Sequence, residues 1–348
     1  MTGTSCDGLD LAYIITNGSD QLTVGPSTTI PFASNYRNTL RKRVTLGTAR
    51  HFMDDELAKD IANYHAHHIK EFIRHNQLEV DAVGFHGQTV WHDPTNKLTV
   101  QLGDCQLLAN QLNINVIGKM RLNDVANGGQ GAPLAPIYHQ IITAKLPKPL
   151  VILNIGGITN LTLITENDLI AGDIGPGNAL IDDWMAQHTG IAQDTNGECA
   201  TRGIVIPTIL NKWLEDPFFT QSLPKSLDRL YFHKNLDDCQ KLSVEDGAAT
   251  LTQFTIQSIV TSLQNLPIPP QRIVVCGGGC HNPVIMNGLC QNFEEVLKVS
   301  DLGFSEDAIE AQLIAYLAAR FFENLPSSFP STTGVNEPTI AGQLFLAK

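Results

Sequence analysis

The sequence has no long apolar run and little positive charge, and both absences narrow its function. No stretch reaches the roughly 18 to 20 apolar residues that cross a bilayer, and the N-terminus lacks the charged and apolar regions of a signal peptide. There are 23 Lys and Arg residues against 35 Asp and Glu, and the basic residues cluster only at Arg41-Lys42-Arg43. We therefore expect no membrane insertion and no nucleic-acid binding through a basic surface, and we expect a cytoplasmic enzyme.

Three well-known catalytic motifs are also missing. The sequence contains no GxxxxGK[ST], no GxGxxG after a predicted strand and no GxSxG. These absences argue against a P-loop NTPase, a Rossmann dehydrogenase and an α/β-hydrolase. A chain of 348 residues is long enough for two domains.

Candidate metal ligands are few. The seven cysteines are odd in number and scattered, which is typical of reduced thiols. Cys276 and Cys280 have no second Cys or His pair at a matching spacing, so we expect no zinc site there. His65 and His68 lie on a helix predicted over residues 54–75 but have no obvious acidic partner. A solvated helix face is favoured there over a metal site.

The central stretch, residues 151–177, combines tight turns with an acidic residue. It predicts a strand, a turn at Gly156-Gly157, a second strand, and a third strand that Asp173 leaves just before Gly175-Pro176-Gly177. A helix is predicted over residues 178–188. Glycine amides without a Cβ can approach a phosphate closely, and a helix N-terminus can hold an anion. We hypothesise a nucleotide cleft with Asp173 at its mouth; alternatively, Asp173 only caps the helix.

Two further segments have glycine turns next to predicted strands. Residues 3–10 place small hydroxyls, two glycines and two aspartates before a strand predicted over residues 9–16. This arrangement parallels the central stretch, although a polar N-terminal tail is the simpler interpretation. A strand over residues 272–275 leads into three glycines and then a helix, which suits a nucleotide site or a simple tight turn.

Polar residues follow two other predicted strands. His86-Gly87-Gln88 ends the strand predicted over residues 80–85, where an α/β sheet places ligand contacts; a hairpin turn with a hydrogen-bonded histidine is an equal alternative. The glycine-rich segment 119–136 contains Arg121, Asp124 and Gln130, which could orient a polar ligand or belong to a solvated linker.

A carboxylate lies on the apolar face of the last long predicted helix. That helix is predicted over residues 305–323 with Ser305 as its N-cap, and Glu310 shares a face with Ile314 and Leu317. Glu310 then either faces a cleft or lies at the edge of the core.

In combination, these segments resemble the anhydro-N-acetylmuramic acid kinases, bacterial sugar kinases of the actin, Hsp70 and hexokinase superfamily. The resemblance runs from Met1 almost to the C-terminus. It rests on eight ordered blocks: GTSCDGLD at 3–10, HGQTV at 86–90, QLGD at 101–104, GGQGAPL at 128–134, LNIGGITNLT at 153–162, DIGPGNALID at 173–182, CGGGCHNP at 276–283 and DAIEA at 307–311.

The resemblance implies an α/β protein with the two-domain actin/Hsp70/hexokinase-like ATPase fold and an interdomain cleft. The first domain would span residues 1–140, with 325–348 returning to it, and the second residues 141–324. ATP and Mg²⁺ would be the cofactors, and the protein would be a homodimer. The implied reaction converts 1,6-anhydro-N-acetylmuramic acid, water and ATP to N-acetylmuramic acid 6-phosphate and ADP, in peptidoglycan recycling.

The resemblance also implies roles for individual residues. Asp173 matches the catalytic base. The nucleotide-side turns comprise Gly3, Thr4, Ser5, Cys6, Asp7, Gly8, Leu9, Asp10, Gly156, Gly157, Gly175, Pro176, Gly177, Gly277, Gly278 and Gly279. The sugar side comprises His86, Gly87, Gln88, Arg121, Asp124, Gln130 and Glu310. No residue is assigned as a metal ligand.

The sequence also departs from the family pattern. The family's strand before Gly3 is absent, which we attribute to a misassigned start codon or a truncation, and the first hairpin would then lack a partner strand. The family's Asp-Phe-Arg is Lys119-Met120-Arg121 here, and its Pro-Lys-Ser-Thr-Gly-Arg-Glu is PKSLDRL at residues 224–230. These departures leave two alternatives: a kinase of the same fold for another sugar, and a non-catalytic, nucleotide-gated sugar sensor.

Overall fold

The computed structural model describes residues 1–3, 6–46 and 55–348. These residues form two compact units, Met1–Ile142 with Asp307–Lys348, and Thr143–Glu306. Thr4 and Ser5, which the sequence places in the first phosphate segment, lie outside the described residues. The mixture of helices and strands confirms the predicted α/β class.

The N-terminal part of the first unit begins with an antiparallel pair of strands. Its elements are β1 (Gly8–Thr16), β2 (Leu22–Pro31), α1 (Ser34–Leu46), α2 (Asp55–Asn76), β3 (Ala82–Gly84), β4 (Gln88–Asp93), β5 (Leu98–Leu102), α3 (Cys105–Leu112), β6 (Asn115–Gly118), α4 (Leu122–Ala126) and α5 (Pro136–Ile142). β1 pairs antiparallel with β2, β4 antiparallel with β5, and β3 parallel with β6.

Helix α2 forms because its apolar residues recur every three or four positions and bury one face. Leu57, Ile61 and Ile69 lie in the core of the first unit. The expectation of a solvated face is wrong for His65, which is 2% exposed, because His65 falls on the same buried stripe. His68 does have an acidic neighbour, since its Nδ1 lies 3.7 Å from a carboxylate oxygen of Glu71.

The second unit is built on one five-stranded sheet. Its elements are β7 (Leu150–Ile155), β8 (Ile158–Ile164), β9 (Leu169–Pro176), α6 (Ala179–Thr189), α7 (Glu198–Arg202), α8 (Pro207–Leu214), α9 (Leu236–Cys239), α10 (Val244–Gln264), β10 (Arg272–Cys276), α11 (Pro283–Asn292) and β11 (Val296–Lys298). The strand order is β11-β10-β7-β8-β9, with the first three parallel and β8 antiparallel to both of its neighbours. Trp184 of α6 and Phe254 of α10 are buried in the core that covers this sheet.

The C-terminal segment completes the first unit with α12 (Ile309–Phe322), α13 (Pro330–Thr333) and β12 (Gln343–Phe345). β12 pairs antiparallel with β6, which gives a sheet of order β12-β6-β3. The chain returns to this unit at Asp307, earlier than the expected residue 325, because α12 packs on β1 and β3.

Two helices differ from what the sequence alone indicates. Residues 34–46 form helix α1 although their apolar residues have no regular spacing. Ser305 is not the N-cap of α12, because residues 306–308 form a turn and the cap position falls on Ala308.

Candidate active site

Asp173 lies inside β9, three residues before the strand ends, so it does not leave the strand as expected. Its Oδ2 accepts a 2.7 Å hydrogen bond from the backbone N–H of Leu227, and its own N–H donates to the carbonyl of Lys225. Burial raises the pKa of Asp173 to about 6, and the Leu227 bond and the charge of Lys225 act in the opposite direction. At neutral pH the carboxylate is mostly ionised, with a pKa that suits a general base.

The glycine turns of the second unit lie against one another. The amide of Asn178 donates to the carbonyl of Gly156, and the amide of Gly177 donates to that of Gly157. The third turn joins them, because a Cβ on Gly278 would lie 3.6 Å from Nδ2 of Asn178. The structure therefore brings together the segments around residues 156–157, 175–177 and 277–279.

These glycines fall into two kinds. A Cβ on Gly177 would lie 2.2 Å from the carbonyl oxygen of Gly156, and one on Gly279 would lie 2.3 Å from the side chain of Ile155, so packing alone requires glycine there. A Cβ on Gly156, Gly157 or Gly278 would meet its nearest neighbours only at 3.5 to 3.6 Å. A Cβ at these three positions would make only ordinary contacts, so packing within the protein does not require glycine there, and close approach of a ligand to the backbone is a separate reason for it.

The other glycines of these segments also have packing roles. A Cβ on Gly175 would meet Ser258 at 2.8 Å, and Pro176 ends β9 as a buried residue. Gly277 has a φ of +78°, in the left-handed region that favours glycine.

In the first unit, the described residues of the segment 3–10 lead into β1, which begins at Gly8. The carbonyl of Gly3 accepts a hydrogen bond from the amide of Cys6. Asp10 is held by the hydroxyl of Thr29, which donates to its Oδ1 at 2.7 Å. The side chain of Leu9 is buried in the core, so only its backbone is available to a ligand.

The other residues of this segment are placed as follows. Asp7 has an exposed side chain, and its carbonyl accepts from the amide of Phe32. Gly8 packs closely on β2, since a Cβ there would lie 2.9 Å from the carbonyl oxygen of Ile30.

The His86-Gly87-Gln88 segment lies against Thr2 and Gly3 at the start of the chain. The hydroxyl of Thr2 donates to the carbonyl of Gly87, and Nε2 of Gln88 donates to the carbonyl of Gly3. Gln88 is 1% exposed, and its Oε1 has no hydrogen-bond partner among the residues that the structure describes. A buried acceptor left in this way is well suited to a ligand hydroxyl.

His86 has its tautomer set by Arg121. The guanidinium Nε of Arg121 donates to Nε2 of His86, so the imidazole proton is on Nδ1 and points to the carbonyl of Gly87. Burial, with the Arg121 charge second, lowers the pKa of His86 to about 3. The histidine is therefore neutral at physiological pH and holds Arg121 in place.

Asp124 organises the glycine-rich segment. Its Oδ1 accepts from the amide of Gly131 and its Oδ2 from the hydroxyl of Thr333, and the residue is 1% exposed. Arg121 also donates to the carbonyl of Gly131. Gln130 is exposed, and its backbone carbonyl lies 2.9 Å from Nε2 of His92.

Glu310 shares the electrostatic environment of this cluster. It is exposed at the start of α12, and its charge acts on Arg121 and on the ammonium group of Met1. The first unit thus brings His86, Gln88, Arg121, Asp124 and Glu310 into one region.

The sequence did not identify several supporting groups. Leu227 is bonded to Asp173 across 54 positions, and Thr333 is bonded to Asp124 across 209. Leu227 lies in the block at residues 224–230, which departs from the family pattern, so the sequence offered little reason to place Leu227 beside Asp173. Lys225 belongs to this block, and its Nζ donates to the carbonyl of Phe218.

Possible metal ligands lie close together at one place among the described residues. One group of three possible ligand side chains occurs there, His67, His68 and Glu71 on α2. All seven cysteines fall within the described ranges as thiols, and Cys290 is exposed. None of the helices described combines the length and the apolarity that crossing a bilayer requires.

Comparison with known proteins gives matches along the whole chain. The family model described as anhydro-N-acetylmuramic acid kinase matches residues 1–347. A protein of that name from Gluconobacter oxydans (strain 621H) is 40% identical over 99% of this chain and 98% of its own. Another from Agrobacterium fabrum is 41% identical over 100% of this chain and 97% of its own.

A third relative and one solved structure also match the chain. A relative of the same name from Rhodopseudomonas palustris (strain ATCC BAA-98 / CGA009) is 42% identical over 99% of this chain and 97% of its own. Among solved structures, the ROK hexokinase from Thermus thermophilus aligns with 90% of this chain and 99% of its own, at 12% identity and a TM-score of 0.38. That structural likeness is remote, and the assignment of the family rests on the sequence matches.

Proposed function

The chain belongs to the anhydro-N-acetylmuramic acid kinase family, and on this premise we propose that it opens and phosphorylates 1,6-anhydro-N-acetylmuramic acid. In this reaction water opens the 1,6-anhydro bridge and ATP phosphorylates O6, giving N-acetylmuramic acid 6-phosphate and ADP in peptidoglycan recycling. The observation that carries the proposal is a match to the family over essentially the full length of the chain.

Asp173 is the proposed catalytic base. It takes a proton from the water that attacks the anomeric carbon, and the freed O6 attacks the γ-phosphate. Two features of the second unit support this role: the Leu227 N–H fixes one carboxylate oxygen, and burial raises the pKa to about 6. The alternative role is capping of α6, but among the described residues the recorded side-chain hydrogen bond of Asp173 goes to Leu227 and not to α6. A base of this kind contributes about a hundredfold to ten-thousandfold.

ATP is the proposed phosphoryl donor, bound by the glycine turns. Gly156, Gly157 and Gly278 are the positions where a phosphate would approach the backbone, because packing within the protein does not explain the glycine at any of them. Residues 3–10 of the first unit are proposed to contact the phosphates as well, through backbone amides. Gly175, Pro176, Gly177, Gly277 and Gly279 are proposed to shape these turns.

Mg²⁺ is proposed to accompany ATP. The donor chemistry fits, because Asp7 and Asp10 place two carboxylates in the proposed phosphate segment and Mg²⁺ prefers oxygen ligands. When bound, the ion would neutralise phosphoryl charge. In the protein, Thr29 holds Asp10 through Oδ1, which leaves Oδ2 for the ion.

The sugar is proposed to bind in the first unit, on the residues gathered around Arg121. The unpartnered Oε1 of Gln88 would accept a sugar hydroxyl, and the guanidinium of Arg121 would bind an anionic group of the sugar. His86 and Asp124 would position these groups, as their hydrogen bonds indicate. Gln130 and Glu310 complete the proposed set with exposed polar side chains.

The test is an ADP-release assay in heavy-oxygen water. With 1,6-anhydro-N-acetylmuramic acid we expect ADP and one labelled oxygen at the anomeric hydroxyl. With simple hexoses we expect neither product. ADP formed with a hexose but not with the anhydro sugar would assign another sugar kinase, and ATP binding without ADP would assign a sensor.

The remaining properties follow from the family. We propose that the two units are the two ATPase-like domains of the actin/Hsp70/hexokinase-like fold, that the protein is a homodimer, and that it acts in the cytoplasm. Analytical ultracentrifugation of the purified chain tests the dimer.

A further inference from the structure

Helix α2 carries three side chains of metal-ligand type at neighbouring positions on its surface. Glu71 follows His67 by four residues and His68 by three. Residues three and four apart are neighbours on an α-helix, so one carboxylate can reach both imidazoles. The structure shows this arrangement, because Oε2 of Glu71 lies 3.4 Å from Nε2 of His67 and 3.7 Å from Nδ1 of His68. We call these three residues the α2 triad.

The ligand atoms of the α2 triad are spaced like the corners of a metal-centred tetrahedron. Bonds from Zn²⁺ to an imidazole nitrogen or a carboxylate oxygen are about 2.0 to 2.1 Å long, so two such ligands on one tetrahedral ion lie about 3.3 to 3.4 Å apart. The two distances from Glu71 are close to this value, and all three ligand atoms lie within 4.8 Å of one another. The side chain of His67 is 65% exposed, so it has room to turn toward an ion.

Aromatic neighbours hold His68 in its orientation. The ring of Tyr64 meets the imidazole of His68 edge-on, with 4.4 Å between the centroids. Tyr64 is in turn stacked on Tyr36 of α1, with 4.8 Å between the centroids. The side chain of His68 is only 20% exposed. A ligand that is already held in place loses less conformational entropy when an ion binds.

His68 is also in the protonation state that a metal ion requires. Burial, with the neighbouring His67 second, lowers the pKa of His68, and Glu71 acts in the opposite direction. The imidazole of His68 is therefore neutral at physiological pH. A neutral imidazole binds an ion without first releasing a proton.

The chemistry of the α2 triad determines which ions it would bind. Imidazole is a good ligand for Zn²⁺, Cu²⁺ and Ni²⁺, whereas Mg²⁺ and Ca²⁺ prefer sites made of oxygen ligands. We propose that the α2 triad is a Zn²⁺ site with three protein ligands and a fourth position open to water. His65 of the same helix takes no part, because it is 2% exposed and its Nδ1 is bonded to the carbonyl of Ile61. The site shares no residue with the proposed Mg²⁺ ligands.

The test is calorimetric titration of the full chain, made without a histidine tag, with zinc chloride. We expect His67→Gln and Glu71→Gln each to weaken binding of one Zn²⁺ per chain at least about tenfold, because losing a group that only supports a metal ligand already costs that much. His75→Gln is the matched control, since His75 is an exposed histidine of the same helix outside the α2 triad. The exposed thiol of Cys290 is present in every form, so it does not affect the comparison.

Thermal unfolding gives a second readout. An ion that binds only the folded helix stabilises it, so Zn²⁺ should raise the Tm of the chain and of His75→Gln by at least about 2 °C more than that of the triad variants. Mg²⁺ at the same concentration should not distinguish the forms.

Three results would overturn the proposal. They are Zn²⁺ affinity that is unchanged in both triad variants, an equal loss of affinity in His75→Gln, and one-half ion per chain, because the ion would then be shared by two chains. His67 and Glu71 have exposed side chains, so replacing them leaves the core intact. Neither readout involves turnover, so its failure leaves the proposed kinase activity untouched.

Discussion

Asp173→Asn separates catalysis from folding at the proposed base. The amide has nearly the shape of the carboxylate, and its oxygen can still accept the hydrogen bond from Leu227. We expect the variant to fold and to bind ATP, and to lose turnover by at least about a hundredfold, because an amide cannot take a proton. Because burial disfavours the ionised carboxylate, the same substitution should increase the stability of the folded protein while it lowers turnover.

The size and the sign of that change follow from the pKa. Burial raises the pKa of Asp173 from 3.8 to about 6 in the folded protein. A difference of about two pKa units corresponds to about 3 kcal/mol, and the partial exposure of the residue reduces this to about 1 to 3 kcal/mol. Well below the unfolded-state pKa of 3.8 both states are protonated, and the contribution of Asp173 to the pH dependence of stability vanishes. As pH rises from about 4 through 6, the wild type loses this folding free energy of about 1 to 3 kcal/mol, because the unfolded carboxyl ionises before the folded one.

The assay is urea denaturation of the wild type and the variant between pH 4 and pH 7.5, beside ADP release at neutral pH. Asp173→Asn should be the more stable protein at pH 7, with a much smaller difference at pH 4. Asp182→Asn is the matched control, because burial and then Asp183 raise the pKa of Asp182 to about 6, and it should keep its turnover. Near wild-type turnover of Asp173→Asn, or a stability difference that is the same at every pH, would refute this reasoning.

Three further predictions concern the glycine turns, Asp124 and Lys225. Gly177→Ala should cost about 1 to 3 kcal/mol of folding free energy, because its Cβ would overlap a carbonyl oxygen. Gly157→Ala should change stability by less than about 0.5 kcal/mol, but it should weaken ATP binding at least about tenfold in calorimetry. Asp124→Ala should lose about 3 kcal/mol in urea denaturation, because two buried donors lose their acceptor. Lys225→Met should raise the pKa of Asp173, because it removes a positive charge, and so move the acid limb of the pH-rate profile to higher pH; an unmoved limb would contradict this.

The sequence predicted the central hairpin because its signals are local. Short apolar runs separated by a glycine pair define β7 and β8, and the two observed strands flank Gly156-Gly157 as predicted. Helix α1 was missed because its residues have no regular apolar spacing, so only tertiary packing identifies it. Ser305 was a suitable N-cap by type, but the turn that precedes Ala308 places the start of α12 elsewhere.

The sequence predicted which residues belong to the candidate site, but it did not predict their contacts or their pKa values. Motifs identified Asp173 and Arg121, because small residues and polar groups cluster next to strand ends. The partners of these residues lie far away in sequence, as Leu227 does, and no local pattern encodes such a pairing. Burial sets the pKa values, and it too depends on the complete fold.

The hydrogen bonds of Thr2 and Gln88 connect the start of the chain to the segment at residues 86–88. A ligand that moves the side-chain amide of Gln88 also disturbs its hydrogen bond to the carbonyl of Gly3, and a ligand that moves Gly3 disturbs Gln88 in the same way. By thermodynamic linkage, two ligands bound on either side of these bonds alter each other's affinity by one common factor. Cooperativity between the two ligands would therefore depend on these two hydrogen bonds. Titrating each ligand in the absence and in the presence of the other would measure it directly.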